Sequence, residues 1–210
     1  MTKEGILALW QDCVAGQEAE LERWYQSEHL AERLGVPGFL RGRRYEAVEA
    51  PQQYFTYYET ETPEVLVSPA YRERVDNPTP LTQTIMSDVF LKMSRTMCRV
   101  ERRVGEIRGA WAVTAKLSDP AAIDGTDLPD RLAAETGIAR TKLWVAADDI
   151  VPPPSDEERL RGGDDRIKAC LFVETLRESD AREAMRPITD TLTDAIDEIG
   201  LYRFMCELAR

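Results

Sequence analysis

A short apolar run over residues 5–13, Gly-Ile-Leu-Ala-Leu-Trp-Gln-Asp-Cys, predicts a strand. The rhythm then changes. Leu21, Trp24, Tyr25, Ala31 and Leu34 recur at three- and four-residue spacings among Glu and Arg, which predicts an amphipathic helix over 17–34, ended by Gly35 and the Pro37-Gly38 turn. Two strands follow at 39–47 and 53–60, the second dense in aromatics at Tyr54, Phe55, Tyr57 and Tyr58. Thr62-Pro63, Ser68-Pro69 and Thr79-Pro80 each set a capping residue before a proline, so 63–90 predicts a broken helical stretch and 91–103 a closing strand.

Strand, helix, strand, strand, helix, strand is the ferredoxin-like order. The second half repeats it, with strands at 109–117, 138–147, 167–174 and 200–208 and helices at 120–136 and 179–199. Leu30-Ala31 before Gly35-Val36 is echoed by Leu132-Ala133 before Gly137-Ile138, Glu59-Thr60 by Glu174-Thr175, and Arg95-Thr96-Met97-Cys98 by Arg203-Phe204-Met205-Cys206. The expected fold is α+β: two tandem ferredoxin-like (βαββαβ) modules forming an internal pseudo-dimeric α+β barrel. Module 1–104 carries the site and 105–210 is a degenerate copy, with the boundary near Val104-Gly105-Glu106. Both helices of such a module lie on one sheet face, so two modules can bury their bare faces against each other. On this reading Met97-Cys98 and Met205-Cys206 occupy equivalent positions. Residues 149–166, rich in Pro, Gly and charge, have no counterpart in the first half. They read as a lid, an interface arm or a mobile insertion, and mobility is the plainest of the three.

Composition narrows the function. Of 210 residues, 27 are basic and 38 acidic, a net charge of −11 without any basic block, which argues against a nucleic-acid partner. No apolar run nears the roughly 18 residues that span a bilayer, and the start lacks a secretory pattern, so the expectation is a soluble, cytoplasmic chain with no membrane partner. Cys13, Cys98, Cys170 and Cys206 stand far apart and read as buried small hydrophobes. With them and a single histidine, His29, neither a metal site nor a cofactor is expected.

The chemistry concentrates in Trp24-Tyr25-Gln26-Ser27-Glu28-His29-Leu30-Ala31-Glu32-Arg33 and in Arg43-Arg44-Tyr45 beyond it. At about 100° per residue, Leu21, Trp24, Tyr25, Glu28 and Glu32 share one arc, with His29 on its edge. A carboxylate on a packing face needs a partner. Strand alternation sends Arg41, Arg43 and Tyr45 to one face and Arg44 to the other. One reading is a structural Glu28–Arg pair locking helix to sheet. The other is a proton-transferring His29 oriented by Glu28 or Tyr57, with Arg44 holding an anionic oxygen. Setting Gly137-Ile138 against Gly35-Val36 places Thr126, Asp127, Asp130 and Arg131 opposite Trp24, Tyr25, Glu28 and His29, so the second copy lacks the constellation. Trp10, Trp111, Trp144 and Phe55 read as packing anchors.

The run WYxxEHLxERxxxPGFxxGRRY, Trp24 to Tyr45, resembles EthD-like and related members of the dimeric α+β barrel superfamily. Relatives include cofactor-independent monooxygenases, lactone isomerases, polyketide cyclases, dehydratases or decarboxylases, and haem-binding branches. The resemblance implies that Trp24, Tyr25, Glu28 and His29 line a pocket between helix and sheet. The expected function is cofactor-independent acid–base chemistry, of lyase, dehydratase or isomerase type, on a small aromatic or carbonyl-bearing metabolite. His29 and Glu28 would be catalytic, and Trp24, Tyr25, Arg44 and Tyr57 would bind substrate. The alternatives are a non-catalytic small-molecule binding module and a haem protein with His29 as axial ligand. Pairing of two such chains into a homodimer is a further expectation.

Overall fold

The computed structural model describes residues 3–210. Eight strands form one closed antiparallel barrel: β1 (Gly5–Cys13), β2 (Phe39–Glu49), β3 (Tyr54–Thr60), β4 (Phe90–Val104), β5 (Trp111–Leu117), β6 (Ile138–Ala146), β7 (Ala169–Thr175) and β8 (Ile196–Ala209). In the first half the strands lie in the order β4-β1-β3-β2, and in the second β8-β5-β7-β6, the same permutation. Pairing of β2 with β8 and of β4 with β6 joins the two sheets. No sheet edge is left open to recruit another strand.

Helices lie outside. The 17–34 stretch is α1 (Glu18–Trp24), a π-helical turn (Tyr25–His29) and α2 (Leu30–Leu34). The 63–90 stretch contains α3 (Pro69–Asp76), α4 (Pro80–Thr84) and a second π-helical turn (Ile85–Val89), with Ser68 and Thr79 capping the two helices through Tyr71 N–H and Thr82 N–H. In the second half the expected 120–136 helix is shorter, α5 (Leu128–Ala134), because Pro120–Ile123 forms a separate 3₁₀ turn. The insertion carries α6 (Asp156–Leu160). The last helix, α7 (Glu178–Leu192), ends before the expected 199, since β8 starts at Ile196 to reach both β5 and β2. Among the described residues no helix is long and apolar enough to cross a membrane.

The closed barrel holds the aromatics. Trp10, Phe55, Tyr57, Trp144, Phe172 and Tyr202 pack inside it, with Trp144 and Phe172 stacked at 4.5 Å between ring centroids. Trp10 and Trp144 are thus the expected anchors, and Cys98 and Cys170 fill space beside them as free thiols. At one end sits a wholly buried carboxylate, Glu174. It accepts hydrogen bonds from Arg43 Nη1 at 2.8 Å, from Tyr45 Oη at 2.9 Å and from Arg140 Nε. Burial raises the carboxyl pKa of neighbouring Glu59, but Lys142 and Arg140 outweigh it and bring it to about 2.

Register corrects two sequence alignments. Ile6 lies between Glu59 and Cys98, whereas Ala112 lies between Glu174 and Tyr202. The counterpart of Cys98 is therefore Tyr202, and Met205-Cys206 falls four residues further on, where Cys206 pairs with Arg44 and packs outside the barrel. A four-letter echo does not fix strand register; hydrogen-bond pairing does. Likewise Gly38 (φ +90°) and Gly137 (φ +94°), each just before β2 or β6, are the matching left-handed turns. Counting back from them sets Leu128, not Arg131, opposite His29.

The charge network yields a stability prediction. Glu174→Ala should cost about 3 kcal/mol, because it takes the shared buried carboxylate from Arg43 and Arg140 and leaves them only the more distant Glu207 and Glu59. Glu46→Ala, which removes an exposed partner of Arg203, should cost under about 1 kcal/mol. Urea denaturation of both variants checks this, and equal losses would contradict it.

Candidate active site

The site begins with the π-helical turn. Leu30 N–H reaches back five residues to the Tyr25 carbonyl, so the turn holds one more residue than an α-turn. That extra residue rotates the side chains beyond it about the helix axis. His29, expected on the rim, is 4 % exposed, and Glu28, expected on the buried face, is half-buried at the edge. The imidazole stacks on Trp24 at 3.9 Å between ring centroids and meets Tyr25 and Tyr58 edge-on. The second π-helical turn supplies Met86 to the same wall, and β4 supplies Phe90 and Met93.

His29 is held neutral. Burial lowers its pKa well below the usual histidine range, and the cations Arg33, Arg44 and Arg161 lower it further. Its Nδ1 has no hydrogen-bond partner, nor has Oε2 of Glu32, 3.9 Å away. Burial raises the Glu32 carboxyl, with Arg33 opposing. The cavity beside His29 has room for about 20 Å³, one water's worth. Tyr71 and Arg95 also border a larger chamber of about 210 Å³ between α3, β4 and the insertion.

The insertion closes this region. Expected to be mobile, it is instead docked on the first half's helix layer. Arg33, 2 % exposed, donates from Nη2 to both oxygens of buried Glu157 on α6, at 2.5 and 2.7 Å. The Asp165 backbone pairs with β4 through Arg95 N–H at 2.8 Å and Met93 C=O at 2.9 Å. Arg99 clasps Asp149, and Arg72 donates to the Pro153 carbonyl. The partner of Arg33 lies 124 residues away, which local pattern could not reveal.

No protein-family model matches the chain, and no curated protein matches it in sequence. Solved structures do match in shape. An anthrone oxidase-like protein aligns over 100 % of this chain and 94 % of its own at 8 % identity, with a TM-score of 0.63. A monooxygenase-like protein from Fusobacterium nucleatum aligns over 100 % and 95 % at 8 % identity, TM-score 0.59. A chlorite dismutase-like protein aligns over 98 % and 96 % at 13 % identity, TM-score 0.59. The fold is the dimeric α+β barrel. Here one chain supplies both four-stranded sheets of that barrel.

Within the α+β barrel the expected site residues separate. Trp24, Tyr25 and His29 come together as anticipated. Glu28 does not join them: it accepts hydrogen bonds from Thr79 Oγ1 at 2.5 Å and Thr82 Oγ1 at 2.7 Å, and so ties the π-helical turn to α4. No Glu28–Arg pair forms. Arg44 is committed elsewhere, with its guanidinium 3.5 Å from the Tyr25 ring centroid and hydrogen-bonded to Glu22 at 2.7 and 3.0 Å. Tyr57 points into the barrel and accepts from Arg140 at 2.9 Å, on the far side of the sheet from His29. Alternation gives its neighbour Tyr58 to the cavity instead. Glu32 and Arg33 lie in the expected stretch, Glu32 on the same helical arc, but neither carried a role there, and Arg95, Glu157 and Arg161 give no local signal.

Two measurements test this arrangement. Glu157→Ala should cost about 3 kcal/mol or more by taking the two-oxygen partner from buried Arg33, which then keeps only the Glu32 carboxylate 3.2 Å from Nη1, and Arg33→Met with Glu157→Leu should recover most of it. A double variant as unstable as the single one in denaturant titration would contradict this. Second, because His29 is depressed in the folded chain, the unfolded chain binds more protons as pH drops below about 6.5. Its share of stability is intact above that pH and is lost as pH falls toward the folded value. The melting temperature of His29→Gln should therefore fall less between pH 7 and pH 5 than that of the parent.

Proposed function

We propose that the chain is a cofactor-independent enzyme of lyase, dehydratase or isomerase type, moving a proton on a small aromatic or carbonyl-bearing metabolite with His29 as the base. The observation that carries this reading is a buried imidazole, kept neutral and with an unpartnered Nδ1, at the wall of a cavity. A neutral imidazole can accept a proton at pH 7. The proton would pass from a C–H or O–H of the substrate to Nδ1, leaving an enolate or phenolate. Arg33, Arg44 and Arg161, which disfavour imidazolium on its own, would be offset by that anion and would stabilise it. Return of the proton to another atom isomerises the substrate; loss of a leaving group eliminates it. Glu32 takes the orienting role first expected of Glu28, since its unpartnered oxygen lies nearest Nδ1. The shared strand permutation supports reading residues 1–104 and 105–210 as two copies of one module, the first carrying the chemistry.

The haem alternative does not fit these residues. His29 is sandwiched against Trp24, with about 20 Å³ beside it; a small substrate would reach it only from the 210 Å³ chamber that Tyr71 and Arg95 also border, and that chamber is still below the roughly 300–1,000 Å³ of pockets for sizeable ligands. Haem therefore enters no step.

The test is a screen of small aromatic and carbonyl compounds for conversion, read by mass spectrometry, with the parent and His29→Gln. Conversion by the parent, lowered by roughly 10²-fold or more in a variant that still melts cooperatively, is the expected result. Undiminished conversion by the folded variant removes His29 from the chemistry, and binding without conversion by the parent favours a plain binding module.

A further inference from the structure

Arg95 projects from β4 at the junction of the His29 cavity and the larger chamber. Its side chain makes one hydrogen bond, from Nη2 to Tyr71 Oη at 2.8 Å. Among the described residues no carboxylate comes within 4.0 Å of it. The surrounding arginines differ: Arg33 is held by Glu157, Arg72 by Asp76, Arg161 by Asp164 and Arg166 by Asp148. A guanidinium has five N–H donors in a planar fork that matches a carboxylate, so Arg95 keeps most of its capacity free. The chain is acidic overall, at −11, and does not attract anions generally, which makes an uncommitted cation in a covered chamber the more specific.

The rest of the chamber is largely apolar. Val75, Met97, Val151, Pro152 and Pro154 line it, with Ser155 at the start of α6. Two carboxylates border it as well: Asp164, already engaged by Arg161, and the half-buried Glu158. Its volume of about 210 Å³ exceeds the roughly 150 Å³ that suffices for benzene in an apolar cavity. α3 forms one wall through Tyr71, Arg72 and Val75, and the docked insertion forms another through Val151, Pro152, Pro154 and Ser155.

We infer that Arg95 is the anchor for the substrate's anionic group, and that the ligand is a small monocarboxylate with an apolar, ring-sized body lying under the insertion. This deepens the enzyme reading above by naming the substrate class, and places the carboxylate at Arg95 with the body beside Tyr71 and Met97. The binding step does not itself require the imidazole.

Isothermal titration with benzoate and with its neutral isostere benzamide tests the assignment. The parent should bind benzoate more tightly than benzamide by roughly tenfold or more, the gain expected of charge-assisted hydrogen bonds. Arg95→Gln should erase the preference, whereas His29→Gln should keep it. Should Arg95→Gln fail to fold, Val151→Trp, at a half-exposed wall position, should fill the chamber and abolish benzoate binding. No binding of benzoate by the parent, equal binding of the two probes, a preference retained by Arg95→Gln, or benzoate binding retained by Val151→Trp would each overturn the assignment. Failure of the His29 chemistry reads differently: conversion then persists in His29→Gln while the Arg95 preference stands.

Discussion

Closure of two four-stranded sheets along β2–β8 and β4–β6 is the constraint that organises both the core and the site. Once the sheet is closed, each strand has an inner and an outer face, and successive side chains divide between them. On β3 this sends Phe55 and Tyr57 into the aromatic filling and Tyr54 and Tyr58 out to the helices. On β2 it sends Arg43 and Tyr45 inward to Glu174 and Arg44 outward to Tyr25. Closure also brings the second half's insertion within reach of the first half's helix layer. Without it Glu157 and Arg33 would have no reason to meet.

The two charge systems that result have different consequences. Inside the barrel, Glu174 and Glu59 are matched by Arg43, Arg140 and Lys142, so the charges are spent on one another. Outside, Arg33, Arg44 and Arg161 each hold a carboxylate, yet all three bear on His29 and add to the burial that lowers its pKa. Arg95 alone in that neighbourhood has only a phenol for company. The cation with charge left over thus lies on the helix side of the first sheet.

Much of the fold could be read from the sequence because it rests on local pattern. Capping residues before prolines marked α3 and α4, and all eight strands lie where apolar runs placed them, to within a few residues at each end. The features that could not be read depend on register or on distance. The Met-Cys echo failed because strand equivalence is set by pairing partners. Glu28 and His29 exchanged depths because a π-helical turn breaks the 100° rule on which the helical arc was drawn. Tyr57 was misplaced because a nearly continuous aromatic strand does not say which of its faces meets the helix. Trp24, Tyr25 and His29 were legible because an aromatic pair and the sole histidine are conspicuous, whereas an arginine among 27 basic residues is not.

The two sheets are covered in different ways. The second sheet is roofed by α7, a fifteen-residue helix that runs on past Pro187 and whose Ala181, Ala184, Ile188 and Leu192 meet a cluster of aliphatic side chains. Short, regular side chains against a continuous helix leave little space. Over the first sheet the same place is taken by α3, α4 and a π-helical turn, which are too short and too irregular to seal it. Large side chains, Trp24, Tyr25, Tyr58 and Tyr71, fill part of the gap, and the insertion from the other half fills the remainder, leaving cavities between. The polar groups that line them, His29 and Arg95, are tolerated because the roof is assembled from pieces. That roof is held by the buried Arg33–Glu157 pair, by Arg99 on Asp149, by Arg72 on the Pro153 carbonyl and by the backbone of Asp165 on β4, so the cover of the first sheet depends on a stretch of chain from the second half.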